Sequence, residues 1–241
     1  MKTLIKELPE MEKICAEKVR QLLKEKPGSV LALTAGRTTE GLYALLGDMC
    51  RRGELSFREA KIFAVTEYVG GEEADSCRSI LKRQLIDHTD LPEGNFFVPR
   101  EQEPEKYDGL IEAAGGIDLC ILGIGINGHL AFNEAQPELS PEEFAQLGTR
   151  VLTLTPETKT ANAIGDRGGA IIAMPNKAIT IGIKQILSAR KVRLGVFRDW
   201  HRGVVRQAAY GEVSASFPVT LLQRHPDAAI YANATASALP F

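Results

Sequence analysis

The alternation of short apolar runs with helical stretches limits the folds open to this chain more than any other feature. Runs of four to six mostly apolar residues are typical of strands that are buried on both faces of a sheet. Such runs lie at residues 29–34, 62–65 and 117–122, with further candidates at 179–183, 192–197 and 228–231. Helices are expected at residues 10–26, from 42 to 49 and near 77–87. The alternation predicts an α/β fold with a central, mainly parallel sheet flanked by helices.

Length, charge and cysteine content narrow the class of protein. The chain has 241 residues and a formal net charge of −2, which fits one α/β domain over residues 1–241. The near-neutral charge offers no bulk attraction to nucleic acid. No apolar run approaches the roughly 20 residues that span a bilayer, so no membrane association is expected. The four cysteines form no Cys-x-x-Cys pair, which favours reduced thiols and a cytoplasmic location.

Three turns follow the predicted strands, at residues 34–39, 66–71 and 123–134. Ligands of open parallel sheets bind outside the carboxyl ends of the strands, so a pocket is expected where these turns meet. Residues 135–178 are the least regular part of the chain. A long irregular stretch in a compact domain is more often a lid or a binding loop than a structural element.

The third turn contains Gly123, Gly125 and Gly128, which match the spacing of a dinucleotide-binding motif. That motif opens the first βαβ unit and is followed, about 20 residues on, by an acidic residue at the end of a strand. Here the glycines lie in mid-chain, and residues 139–144 do not resemble a strand end. We therefore predict no NAD site.

His129 follows these glycines, with Asn127 and Glu134 close in sequence. A histidine near a carboxylate can exchange protons close to neutral pH, and we expect the carboxylate to set its pKa. A loop histidine can instead serve only to bond the backbone. The position beside a glycine-rich turn at a strand end favours the catalytic role.

The segment from Gly115 to Glu134 resembles the signature of the glucosamine-6-phosphate deaminases, which are related to the 6-phosphogluconolactonases. Further matches lie at residues 34–43 (the family's phosphate-binding turn), 66–70 with 75–79 (its D-E-Y-V-G segment and Ser-rich continuation), 178–183 and 213–226. Their order and spacing agree over nearly the whole chain. The resemblance implies a NagB-like, Rossmann-related fold and a small-molecule sugar phosphate as the partner.

The resemblance also implies an activity, the conversion of glucosamine 6-phosphate and water into fructose 6-phosphate and ammonium. His129 would assist opening of the pyranose ring, and Asn127 and Glu134 would hold its imidazole. A carboxylate in the segment that begins at Thr66 would carry a proton between C2 and C1. No metal or organic cofactor is implied, because each step is a proton transfer. The implied substrate-binding residues of the turns are Ala35, Gly36, Arg37, Thr38, Gly125 and Gly128.

The chain departs from the family pattern at the position of the proton-carrying aspartate. Thr66 stands there, and a hydroxyl is far too weakly acidic to act as a base near neutral pH. Glu67 is adjacent, but neighbouring positions of a strand point to opposite sides. Glu67 could replace the missing carboxylate only if a β-bulge re-aimed it.

The phosphate-binding positions also differ from the family pattern. Arg37 replaces a small residue of the turn, Ile164 replaces the lid arginine, and His201, followed by Arg202, replaces a lysine. We expect Arg37 to form a relocated anion clamp with Arg198 or Arg202, since arginine is a good bidentate phosphate ligand. The other cations of the segment are interpreted as a solvated basic helix face: Arg190, Lys191, Arg193 and Arg206.

Three functions stay open on the sequence alone. The first is the deaminase, and the second is a relative that acts on another phosphorylated or acidic sugar, including lactone hydrolysis, which needs no C2 base. The third is a non-catalytic sugar-phosphate binding protein. Thr66 discriminates among them, because only the deaminase needs a base at that position. A homo-oligomer is possible, and Tyr68 and Phe132 are expected to line the pocket as apolar walls.

Overall fold

The computed structural model describes residues 1–239, whose strands form two sheets. The strands are β1 (Lys2–Ile5), β2 (Val30–Leu33), β3 (Lys61–Ala64), β4 (Thr66–Val69), β5 (Phe96–Phe97), β6 (Leu119–Leu122), β7 (Arg150–Thr153), β8 (Lys177–Thr180), β9 (Val192–Val196) and β10 (Ala228–Ala232). Seven strands form a sheet in the order β1-β10-β9-β6-β2-β3-β5, and every pair in it is parallel. The predicted parallel sheet is confirmed.

Helices connect the strands. They are α1 (Leu8–Glu25), α2 (Glu40–Arg51), α3 (Cys77–Gln84), α4 (Pro104–Ala113), α5 (Pro141–Phe144), α6 (Pro156–Asp166), α7 (Ile183–Ser188), α8 (His201–Tyr210) and α9 (Ala234–Ser237). Single 3₁₀ segments lie at Arg37–Thr39, Glu73–Asp75, Ile86–His88, Glu93–Asn95, Ile171–Ala173 and Pro218–Arg224. The three helices expected from the sequence correspond to α1, α2 and α3.

Alternate residues of each central strand pack into two separate cores, one on each face of the sheet. In β2, Val30 and Ala32 join one core with residues of α4, α7 and α8. Leu31 and Leu33 join the other, with residues of α1, α2 and α3. Burial on both faces explains why the strand sequences show continuous apolar runs rather than alternation.

The second sheet begins where the first ends. Only Val65 separates β3 from β4, and β4 then pairs antiparallel with β8, which pairs antiparallel with β7. Val65 still bonds to both sheets, because its N–H donates to Leu33 O and its carbonyl accepts from Ile181 N. Thr66 therefore lies at the junction of the two sheets, at the carboxyl end of the parallel one.

Two parts of the chain are more regular than the sequence predicts. Residues 135–178 were expected to form an irregular lid, but they contain β7 and the eleven-residue helix α6. Thr155 caps α6 by accepting a hydrogen bond from Thr158 N, and Pro156 follows at the first helical position. Strand β1 was not predicted at all; its four residues are exposed, so it has no apolar run.

One basic residue was assigned to the wrong environment. Arg193 was expected on a solvated helix face, but it lies in β9, is 6% exposed and pairs with Asp227 at 2.8 Å. Among the residues that the structure describes, no helix combines the length and the apolar character needed to cross a bilayer.

Candidate active site

A cavity of about 330 Å³ opens at the carboxyl ends of β2, β3 and β6. The three turns predicted from the sequence meet in it, and they contribute Thr34, Ala35, Gly36, Arg37, Thr38, Thr66, Tyr68, Gly123, Ile124, Gly125, Ile126, His129, Ala131 and Phe132. Helix α3, helix α6 and the segment between β9 and α8 close the remaining sides. The volume is within the range of pockets that enclose small ligands.

His129 lies on the cavity wall in a hydrogen-bond network that fixes its tautomer. Asn127 Nδ2 donates to Glu134 Oε2 at 2.8 Å, which turns Asn127 Oδ1 towards His129 Nδ1 at 2.7 Å. Because an amide oxygen only accepts, the proton of the neutral imidazole lies on Nδ1. Among the described residues, none bonds to His129 Nε2, which leaves this nitrogen to accept a proton from a ligand.

Burial, rather than the carboxylate, dominates the pKa of His129. Burial lowers the pKa below its ordinary value, and the Glu134 carboxylate, 3.6 Å from Nδ1, raises it by less. The sequence-based expectation that the carboxylate sets the pKa was wrong, because the imidazole is only 6% exposed. The neutral imidazole is the dominant form at neutral pH, and it is suited to start as a base.

Gly125 and Gly128 have different reasons to lack a side chain. A Cβ at Gly125 would lie 2.0 Å from His129 Cε1, so the imidazole occupies the space of a side chain. Gly128 adopts a φ of 78°, and a Cβ there would meet the Phe217 ring at 2.5 Å. Gly128 is not among the cavity-lining residues. The structure thus gives Gly128 a role in the turn and in packing, not the predicted contact with substrate.

Asn133 supports the same loop and was not singled out in the sequence. It is fully buried, and its Nδ2 donates to Leu130 O and to Ile181 O, both at 2.9 Å. Its Oδ1 accepts from Arg150 Nη1 at 2.8 Å. These bonds anchor the residue before Glu134 to the segment that follows β8. An asparagine in a polar loop gives no sequence signal for such burial.

Arginine side chains without a partner line the cavity. They are Arg37, Arg83 and Arg198, and none of the three guanidinium groups forms a hydrogen bond or an ion pair within residues 1–239. Arg198 lies 6.0 Å from the Trp200 ring and against the backbone of Gly165, where a Cβ would be 2.6 Å from Nη1. Of the two alternatives for the anion clamp, the geometry favours Arg198, because Arg202 does not line the cavity.

His201 lines the cavity, but its ring is committed to the backbone. Its Nδ1 accepts from Arg198 N at 3.0 Å, and its Nε2 donates to Ile124 O at 3.1 Å. Burial lowers the pKa of His201 to about 4, so the ring is neutral at physiological pH. His201 therefore supplies no positive charge to an anion, and it positions the backbone of Arg198 instead.

Thr66 faces the cavity and Glu67 does not. Thr66 Oγ1 lies 3.4 Å from Cys77 Sγ. The Glu67 carboxylate accepts hydrogen bonds from Cys77 N and Arg78 N, both at 2.8 Å, and so caps the first turn of α3. Glu67 is not among the cavity-lining residues. Strand β4 pairs with β8 in unbroken register from Thr66 to Val69, so no bulge re-aims Glu67 and the condition for its catalytic role is not met.

Helix α6 covers one side of the cavity with polar residues that the sequence did not single out. Asn162 Nδ2 donates to the Tyr68 hydroxyl at 3.3 Å, and Arg167 pairs with Asp75 and stacks on the Tyr68 ring at 5.6 Å. Asp166 lines the cavity between them. These contacts join the helix to β4. Tyr68 and Phe132 line the cavity as expected, with ring centroids 5.5 Å apart.

Comparison with known proteins gives consistent matches. Residues 6–231 match the family model described as glucosamine-6-phosphate isomerases/6-phosphogluconolactonase. The chain is 36% identical to the glucosamine-6-phosphate deaminase of Thermoanaerobacter pseudethanolicus, over 95% of this chain and 91% of that one. It is 37% identical to the enzyme of the same name from Hahella chejuensis, over 98% and 91%.

Solved structures show the same fold. A monomeric glucosamine-6-phosphate deaminase of the NagB superfamily superposes with a TM-score of 0.90 at 31% identity, covering 99% of this chain and all of that one. The 6-phosphogluconolactonase of Trypanosoma cruzi superposes with a TM-score of 0.73 at 18% identity, over 98% and 95%. The second likeness concerns the fold alone.

Proposed function

Because this chain belongs to the family of glucosamine-6-phosphate isomerases and 6-phosphogluconolactonases, we propose that it is a deaminase of amino-sugar phosphates. The proposed reaction converts glucosamine 6-phosphate and water into fructose 6-phosphate and ammonium. The observation that carries the proposal is the His129 network at the wall of a cavity that is also lined by unpaired arginines. Self-association and a cytoplasmic location stay predictions.

Arg37 and Arg198 supply the charge needed at the phosphate end. Each guanidinium can donate two parallel hydrogen bonds to a phosphate, and each lies in the cavity without a competing partner among the described residues. The turn from Ala35 to Thr38 lines the same cavity. With the phosphate held there, the sugar extends along the cavity towards His129 and Thr66.

His129 then opens the ring. Its Nε2 accepts the proton of the anomeric hydroxyl and returns a proton to the ring oxygen, which breaks the bond between C1 and that oxygen and leaves an aldehyde. Asn127 and Glu134 stabilise the imidazolium that forms in between, since Glu134 lies 3.6 Å from Nδ1. A positioned histidine of this kind contributes typically about 10²–10⁴-fold to a rate.

Lactone hydrolysis is the second candidate, and Thr66 favours it. Hydrolysis of a sugar-phosphate lactone needs a base to activate water but no proton transfer at C2. A site with His129 and without a carboxylate at position 66 meets that requirement. The two candidates therefore differ in whether they require a carboxylate at position 66.

Ammonia release from glucosamine 6-phosphate tests the proposal. Purified protein is expected to form ammonia and fructose 6-phosphate in equal amounts, and His129→Gln should lower kcat by at least about 100-fold. His88→Gln is the matched control, because His88 is exposed and does not line the cavity. Hydrolysis of 6-phosphogluconolactone without any ammonia release would replace the proposal with the lactonase alternative.

A further inference from the structure

Helix α6 contacts the His129 network as well as the cavity. Thr158, in the first turn of this helix, is fully buried and does not line the cavity. Its Oγ1 lies 3.3 Å from His129 Nδ1. The mechanism proposed for His129 makes no use of this hydroxyl, although it lies beside the ring nitrogen that the substrate does not reach.

The side chain of Thr158 does not bond within its helix as a helical threonine commonly does. Such a threonine often donates to the carbonyl four residues before it. Thr160 does so, because its Oγ1 donates to Pro156 O at 2.8 Å. In the part of the chain that the structure describes, Thr158 makes no such bond. Its oxygen instead accepts from Thr155 Oγ1 at 3.1 Å and faces His129 Nδ1.

Two oxygen atoms flank Nδ1 of the imidazole. Asn127 Oδ1 is 2.7 Å away and Thr158 Oγ1 is 3.3 Å away. The amide oxygen only accepts, so the proton lies on Nδ1, and a hydroxyl oxygen beside that N–H group can serve as a second acceptor. Two acceptors on different elements fix the plane of the ring better than one, because a rotation of the ring lengthens at least one of the two contacts.

The cap residue of α6 contacts the carboxylate of the same network. Thr155 N donates to Glu134 Oε1 at 3.4 Å, and Asn127 Nδ2 donates to the other oxygen of that carboxylate. Thr155 Oγ1 also accepts from Thr158 N and so caps the helix. The start of α6 therefore contacts Glu134 through Thr155 and His129 through Thr158.

The far end of α6 is fixed by separate contacts. Asn162 Nδ2 donates to the Tyr68 hydroxyl at 3.3 Å, and Arg167, which follows the helix, pairs with Asp75. Both partners lie in β4 or in the segment that follows it. A side chain on a helix that is held in this way is placed more precisely than one on a loop. The position of the Thr158 hydroxyl is therefore set by the docking of α6.

We propose that Thr158 is a positioning residue for His129, which holds the imidazole with its proton on Nδ1 and so leaves Nε2 for the substrate. The effect on catalysis rests on the proposed function, whereas the effect on the imidazole does not. Nδ1 donates to Asn127 Oδ1 and to Thr158 Oγ1, and the substrate exchanges protons with Nε2 alone. Thr158 touches no reacting atom. It keeps the ring aligned while the imidazole gains and loses a proton.

Thr158→Val removes the hydroxyl and keeps nearly the same shape. We expect kcat for ammonia release to fall about tenfold, which corresponds to a hydrogen bond of about 1.4 kcal/mol. KM should change by less than about threefold, because Thr158 lies outside the cavity. Thr158→Ser keeps the hydroxyl and should keep kcat within about threefold of the unaltered protein.

Thr160→Val is the matched control on the same helix. It makes the same substitution, but the Thr160 hydroxyl bonds to Pro156 O and the residue does not line the cavity. Its kcat is expected to equal that of the unaltered protein. Equal losses in Thr158→Val and Thr158→Ser would assign the effect to packing and overturn the inference.

NMR of the imidazole separates positioning from a structural role. The nitrogen chemical shifts should place the proton on Nδ1 in the unaltered protein and in Thr160→Val. In Thr158→Val the pKa of His129 should fall further below its ordinary value, because the charged imidazole loses an acceptor while Glu134 is unchanged. A variant with a loosened structure would expose the ring and raise this pKa instead, since burial is the largest cause of its depression.

The outcomes distinguish this inference from the proposed function. A proton on Nε2 in the unaltered protein would overturn the inference, because Thr158 would then donate to Nδ1 rather than accept from it. An active unaltered protein whose kcat and His129 pKa are the same in Thr158→Val would also overturn it and leave the proposed function standing. An unaltered protein that releases no ammonia removes the proposed function, but the nitrogen shifts and the pKa still decide whether Thr158 positions the imidazole.

Discussion

Gly125→Ala is expected to displace the imidazole of His129 without unfolding the protein. A Cβ at this position would lie 2.0 Å from Cε1 and 2.3 Å from both ring nitrogens. Gly125 has no positive φ, so alanine is compatible with the backbone. The strain therefore falls on the ring, which lines the cavity.

The size of the effect follows from these distances. Ordinary van der Waals contact begins near 3.4 Å, so the ring must move by about 1.4 Å from a Cβ at 2.0 Å. That movement is half the length of the 2.7 Å bond between Nδ1 and Asn127 Oδ1, and it breaks the network that sets the tautomer. A displacement of about 1 Å at a reacting group can cost roughly 100-fold in rate, equivalent to about 2.7 kcal/mol.

Two measurements check the prediction, with Gly123→Ala as the local comparison. At Gly123 a Cβ would meet Gly195 O and Thr38 Oγ1 at 3.9 Å, an ordinary contact. Ammonia release should fall about 100-fold in Gly125→Ala and less than tenfold in Gly123→Ala. The pKa of His129, followed by NMR, should rise towards its ordinary value in Gly125→Ala, because burial is the largest cause of its depression. A folded Gly125→Ala protein with unchanged kcat and unchanged His129 pKa would refute the reasoning.

Two further predictions concern the arginines and the buried histidine of the anion end. Arg37→Ala and Arg198→Ala should each raise KM for glucosamine 6-phosphate about 10–100-fold, the value of a charge-assisted hydrogen bond, but leave KM for unphosphorylated glucosamine unchanged. An equal rise in KM for both sugars would contradict the assignment of these arginines to the phosphate. The pKa of His201 is about 4 in the folded protein, below its ordinary value, so the unfolded chain binds the extra proton. Its contribution to stability is complete above about pH 6.5 and is lost as the pH falls to about 4, by about 3 kcal/mol in all. Urea unfolding at pH 7 and pH 4.5 should show a smaller difference in the free energy of unfolding for His201→Gln than for the unaltered protein. An equal difference would exclude a contribution of His201 to the pH dependence of stability.

The sequence predicts the elements that are buried on both faces. Residues 29–34 and 117–122 are continuous apolar runs because β2 and β6 lie in the middle of the sheet, where both faces of each strand are covered. The turns at their carboxyl ends then meet by the geometry of a parallel sheet, which brings His129 and Arg37 to one cavity.

Elements with little buried surface escape such a prediction. Strand β1 pairs with β10 alone and exposes all four residues, so its sequence has no reason to be apolar. Helix α6 buries only Thr158, Ala163 and Gly165. Its polar composition therefore resembles a loop, although the cap at Thr155 and the proline after it are helix-start signals.

The surroundings of Asp166 depend on tertiary structure that no local pattern contains. It lies 129 residues from Arg37 along the chain, and both line one cavity because α6 covers that cavity. Glu67 shows the converse. Its sequence position beside Thr66 made it a candidate only if a β-bulge re-aimed it, and instead the N–H groups at the start of α3 bind its carboxylate.

The pairing of β1 with β10 has a consequence for biosynthesis. Thr3 pairs with Ile230 and Ile5 with Ala232, so β1 finds its partner only after β10, which is synthesised much later, has left the ribosome. At about 5–20 residues per second, the 227 residues from Ile5 to Ala232 take roughly 10 to 45 seconds to add. During that interval the strands β2, β3 and β6 are already available to assemble the middle of the sheet. Strand β1 can therefore pair at the edge of the sheet only after β10 has been synthesised.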